Sequence, residues 1–117
     1  MLEEKAKELG RLIGQSSEYQ ALKRSSEALN EDREAVKLLQ EMERLRGEAQ
    51  QLIQRGENPT PEMEKQLDDM LEKIQTQSAY QRAVSAQENF DKIMMRVNQW
   101  IMDGMKKGAA SPIITLS

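Results

Sequence analysis

Between Pro61 and Gly104 the chain has neither proline nor glycine, and within that stretch Tyr80, Ala83, Gln87, Phe90, Met94, Val97 and Ile101 keep one unbroken three-four spacing. Residues three and four apart share a helix face, whereas a half-buried strand would alternate. A flanking row, Ala79, Ala86, Ile93 and Trp100, repeats at sevens. Strict sevens favour near-parallel helices crossing at roughly 20°. The fold class that follows is all-α.

The rest of the chain obeys the same period. Leu2, Ala6, Leu9 and Ile13 predict a short first helix that ends near Gly14. Ser17 and Gln20 have capping-box spacing and open a second helix. Its stripe of Tyr19, Leu22, Ser26 and Leu29 is thin, which places it on the surface of the others. Ala35, Leu38, Met42, Leu45, Ala49 and Leu52 predict a third helix over 31–55, ended by Gly56. Thr60 caps a fourth helix with Pro61 at its first position, where a helical proline is favoured. Met63, Leu67, Met70, Leu71 and Ile74 line its inner face, and Ser78 with Gln81 reads as a second capping box, making either a new helix or a sharp kink. Beyond Gly104 the pattern dissolves, so residues 1–106 read as a single helical domain. Residues 107–117 read as a flexible tail with a β-prone tip, Ile113 to Leu116.

The densest polar cluster is Asn30-Glu31-Asp32-Arg33-Glu34. A calcium loop needs alternating ligands, a glycine at its sixth position and a closing glutamate at its twelfth. The sixth position from Asn30 is Ala35, so the geometry is absent. Asn30 instead reads as an N-cap, with the acids in the first turn favoured by the helix dipole. The carboxylate pairs Glu3-Glu4 and Asp68-Asp69 fall on polar helix faces, where no desolvated acid/base pair is expected.

Composition removes most catalytic chemistry. The 117 residues include no cysteine and no histidine. That excludes disulfides, thiolate nucleophiles, cysteine-ligated clusters and imidazole catalysis. No glycine-rich phosphate loop is present. We therefore expect no enzyme activity, no catalytic residue, no cofactor and no metal. Leu, Ile, Val and Phe make up only about a fifth of the chain, near the boundary of disorder. The eight methionines and the small net charge of −3 restore the expectation of a folded core. Basic residues alternate with acids, so direct nucleic-acid binding is not expected. No apolar run approaches membrane-spanning length, and the charged start Met1-Leu2-Glu3-Glu4-Lys5 is no signal peptide. A soluble cytoplasmic protein is the expectation.

The turn around Gly56–Pro61 folds helices three and four into a long hairpin, and the last helix is expected to pack back along helix three. The architecture that follows is an extended antiparallel bundle of four to five helices. Two adjacent apolar rows on the last helix exceed what a small monomer covers, and surplus apolar surface marks an interface. Ala86, Ile93, Trp100 and Ile101 are the candidate self-association or partner face, most simply in a two-fold homodimer. The alternative is that the first helix covers the second row through Leu9, Leu12 and Ile13. A small prefoldin-like chaperone, holding unfolded clients on a methionine-rich surface, is the rival function.

The layout also resembles a known family. Glu8-Leu9-Gly10, Ile13, Ser17, Tyr19, Lys23, Leu29 and Asp32 are similar to the opening of the YlbF/YmcA family of bacterial regulators, which includes the YheA-like proteins. Ala86, Glu88, Phe90, Ile93, Met94, Val97-Asn98 and Ile101 resemble its closing helix, and the Gly56 loop with Pro59 and Pro61 fits between them. The resemblance covers residues 2–104. It implies an all-helical, often dimeric protein without enzyme activity, acting with a protein partner in complexes that govern competence, biofilm formation and sporulation. Part of that action runs through mRNA processing by an endoribonuclease. Some members carry cysteines that help bind iron–sulfur clusters, a role this cysteine-free chain does not inherit.

Overall fold

The computed structural model describes residues 1–110, which form five helices and no strand. They are α1 (Leu2–Gly14), α2 (Ser17–Glu31), α3 (Arg33–Gln54), α4 (Pro61–Gln75) and α5 (Ser78–Ala109). The molecule measures 65 × 37 × 19 Å. The extended all-α bundle expected from the spacing is what the chain builds. Helix α5 runs three residues past the expected tail boundary at 106. The β-prone tip and most of the expected flexible tail lie outside the described residues.

The connections explain the course of the chain. Helix α3 ends in a Schellman motif: Glu57 N–H donates to Leu52 O at 2.8 Å and Gly56 N–H to Ile53 O at 3.0 Å. Gly56 takes φ +82°, a left-handed conformation that a side chain makes costly. Thr60 then caps α4, its hydroxyl accepting from Met63 N–H at 3.2 Å, with Pro61 in the first turn. The α3–α4 hairpin thus forms as the sequence predicts.

Three caps differ from expectation. The cap of α3 is Asp32, whose carboxylate accepts from Ala35 N–H at 3.1 Å, and Asn30 lies inside α2. Both residue types cap helices, but a charged carboxylate also meets the positive helix end. The cap of α2 is Ser16, not Ser17, with its hydroxyl accepting from Tyr19 N–H at 3.2 Å. Helix α5 is preceded by Gln77, which makes no side-chain cap, so Ser78 is the first helical residue. Gln20 and Gln81 do not close capping boxes. Each donates its amide backwards to the end of the preceding helix, to Gly14 O at 2.9 Å and Gln75 O at 2.6 Å.

Packing corrects the expected partners. Helix α5 lies mainly along α2, not α3, and α3 pairs with α4. The thin stripe on α2 therefore faces α5 through half-buried Leu22 and Leu29, with Ser26 left exposed and no residue of α2 fully buried. Tyr19 sits beside Phe90 with ring centroids 5.6 Å apart at 54°. Leu29 and Tyr80 pack on one buried cluster formed by Ala35, Met42 and Ile74. Tyr19 is early in α2 and Phe90 midway along α5, while Leu29 is late and Tyr80 early, so the two helices run antiparallel.

On the surface, Arg44 bonds Glu41 and, at 2.7 Å, Glu48. The Arg44 side-chain hydrogen bond holds the Glu41 carboxyl below its ordinary range. That contribution is present above the usual carboxylate range and fades as pH falls through the lowered value. Both groups face water, so it is small.

The cap assignment has a direct test. Asp32→Ala should lower unfolding free energy by about 1 kcal/mol in urea denaturation. Asn30→Ala should leave the midpoint nearly unchanged.

Candidate protein-contact face

Helix α5 is 32 residues long, or about 48 Å, whereas α2, its main cover, has 15 residues and reaches about 22 Å. The mismatch divides α5 in two. In its first part Ala86 is 8 % exposed, and Phe90, Ile93 and Met94 are half-buried. Val97 closes this part at 6 % exposure. Past Val97 the same face continues as Trp100, Ile101, Gly104 and Met105, and its cover ends. Trp100 is 64 %, Ile101 44 % and Met105 67 % exposed. Met95 and Met102 are exposed on the adjoining flank.

The four candidate residues therefore separate. Ala86 and Ile93 belong to the seam with α2, and Ile93 also lines a shallow groove there with Arg24, Asn89 and Arg96. Trp100 and Ile101 remain open. Helix α2 covers the second row only as far as Ile93, while α1, the cover considered from sequence, leaves its own Leu2 and Leu12 exposed. The spacing does not single out Met95, Met102 and Met105, nor the exposure of Leu2 and Leu12 on α1. Periodicity alone does not show where a covering helix stops.

Among the described residues no polar or charged side chain is buried, and no group of three or more carboxylates could hold a metal ion. Glu31 is exposed and Asp32 is engaged with the backbone of α3. No described helix is long and apolar enough to cross a membrane.

Ile13, Ser17, Tyr19 and Gln20 recur as Ile74, Ser78, Tyr80 and Gln81. The two segments build the same joint. Gln15 and Thr76 end their helices at φ/ψ −86/−7° and −83/−13°, and Ser16 and Gln77 follow at −65/150° and −76/122°. Ser16 N–H and Gln77 N–H donate to Ile13 O and Ile74 O, both at 3.0 Å.

Fold and surface together define an elongated, all-helical protein with an uncovered apolar helix end. Comparison with known proteins makes the class specific. The family described as "Control of competence regulator ComK, YlbF/YmcA" matches residues 2–106, and the chain belongs to this family. A UPF0342 protein of Streptococcus gordonii is 39 % identical over 70 residues, 60 % of this chain and 62 % of that protein. The chain thus spans less than two thirds of that relative. A UPF0342 protein of Streptococcus mutans is 36 % identical over 83 residues, 71 % of this chain and 74 % of its own length. The crystal structure of Bacillus subtilis RicA, described in complex with RicF, superposes with a TM-score of 0.79. The match is 17 % identical and covers 92 % of this chain and 96 % of the chain it superposes on, so the shared feature is the fold.

The two halves of α5 should respond differently to truncation. Phe90→Ala should lower unfolding free energy by about 3 kcal/mol, because it opens the α2–α5 seam. At concentrations where the protein is monomeric, Trp100→Ala should change it by less than about 0.5 kcal/mol.

Proposed function

We propose that this chain is a non-enzymatic regulatory adaptor of the YlbF/YmcA family, acting in the cytoplasm through helix-mediated contacts, with itself as a homodimer and with a second protein. The observation that carries this reading is the apolar face of α5, which runs on uncovered through Trp100 and Ile101. Exposed apolar surface of this extent costs solubility unless it is occupied, and buried tryptophans anchor interfaces. The family's description, control of a competence regulator, supports a regulatory complex as the setting. The solved neighbour's complex with another protein supports partnership as the mode. Processes of the kind such complexes govern, namely competence, biofilm formation, sporulation and mRNA processing, are the proposed context.

The exposed methionines 95, 102 and 105 also suit a prefoldin-like chaperone, since methionine adapts to many clients. The two readings part on client range. An adaptor leaves the aggregation of unrelated unfolded proteins unchanged, and a chaperone suppresses it.

Sedimentation tests the contact face. The wild type should sediment at twice 13.4 kDa. Trp100→Glu combined with Ile101→Glu should keep the helical circular dichroism and sediment at 13.4 kDa. A wild type that sediments as a monomer at every concentration refutes self-association.

A further inference from the structure

From Gly56 outwards the chain is one long antiparallel pair, with α2 and α3 forming one arm and α4 and α5 the other. Residues that meet across it have numbers adding to about 109: Tyr19 with Phe90, Ala35 with Ile74, Glu41 with Asp69 across a shallow groove. The arms bend together at one place. Asp32 breaks the first arm opposite Gln77, which breaks the second, so the pair continues through the bend.

At Gln15–Ser16 the first arm breaks again, in a joint built like the one at Thr76–Gln77. This joint is fixed by Ser16 N–H and Oγ donating to Ile13 O and by Gln20 donating to Gly14 O. The opposite arm has no matching break, because α5 runs unbroken through this level. Helix α1 is therefore turned off the line of α5, and two apolar faces of equal length stay open. One is Leu2 and Leu12 with half-buried Leu9, on 13 residues of α1. The other is Trp100, Ile101 and Met105, on the last 13 residues of α5, 97–109.

We infer that a second copy of this chain closes both faces: α1 of each protomer lies antiparallel on residues 97–109 of α5 in its partner. The inference rests on the self-association proposed above and names the contact. Three observations support this occupant. First, continuing the register of the arms sets Leu9 against Ile101 and bare Gly10 against the Trp100 ring. A Cβ added at Gly10 would meet nothing within 4 Å. Second, the charges match in that register. Glu3 and Glu4 face Lys106 and Lys107, and Lys7, now held by exposed Glu3 at 2.8 Å, faces Asp103. Third, the area suffices. The accessible surface is 9535 Å², against roughly 6,500 Å² for a compact monomer of this mass. The surplus exceeds the roughly 800 Å² per partner that a stable interface takes. Exchange of an end helix across a two-fold axis is a low-cost route to such a dimer.

The absence of native cysteine makes the contact directly readable. Chains carrying Leu9→Cys and mass-tagged chains carrying Ile101→Cys are mixed, oxidised and weighed. The expected product is the mixed disulfide dimer, in excess over either homodimer. As a second measurement, Lys106→Glu with Lys107→Glu should weaken dimerisation about tenfold in sedimentation, and adding Glu3→Lys with Glu4→Lys should restore it. A wild-type dimer whose Ile101→Cys chains link only to one another overturns the inference and leaves self-association standing. A disulfide within one chain carrying both cysteines, at monomer mass, also overturns it, because α1 then closes on its own α5. A wild type of 13.4 kDa at every concentration overturns the dimer as well.

Discussion

The antiparallel seam between α2 and α5, fixed where Tyr19 meets Phe90 and carried on through Ala35 and Ile74, sets where every other helix lies. It gives the molecule one register from the Gly56 turn to Val97. Because the seam is only two helices wide, few residues are fully enclosed: Ala35, Met42, Leu45, Ile74, Ala86 and Val97 are the buried apolar set. A fold this thin stays ordered through its joints as much as its core. Each joint is closed by side-chain and backbone hydrogen bonds that satisfy groups a helix end would otherwise leave unpaired.

The described residues carry open, shallow grooves and long helix surfaces. What the two-helix seam provides is length. An elongated helical surface with an uncovered end presents apolar area to another helix in a defined register, and helix–helix docking needs little else. This is the physical sense in which a YlbF/YmcA protein can act by assembly.

The elements themselves were legible in the sequence because helix period and turn chemistry are local. Met42 and Leu45 reveal the inward face of α3, and Gly56, Thr60 and Pro61 mark the hairpin turn unambiguously. Cap positions were less legible. Asn30, Asp32, Ser16 and Ser17 can all cap, and the choice fell to the residues that let Ala35 and Tyr19 reach their neighbours. The partner of α5 was misread for a related reason. The stripe on α2 looks too thin for a core helix, yet Tyr19 reaches Phe90 and Leu29 joins the buried cluster, while small Ala21 and Ala86 line one groove between the two helices.

The sequence by itself determined that this protein is all-helical, that it has four or five helices, where its long turn falls, and that no cysteine, histidine or phosphate loop supplies chemistry. Those properties depend on residue type and spacing along a single segment. Only the tertiary structure decided which half of the α5 stripe is core and which is surface. Ala86 and Trp100 occupy equivalent places in the same repeat of sevens. They differ because α2 begins at Ser17 and the Gln15–Ser16 joint turns α1 aside. Burial depends on where the covering helix ends, a long-range fact that no residue of α5 carries.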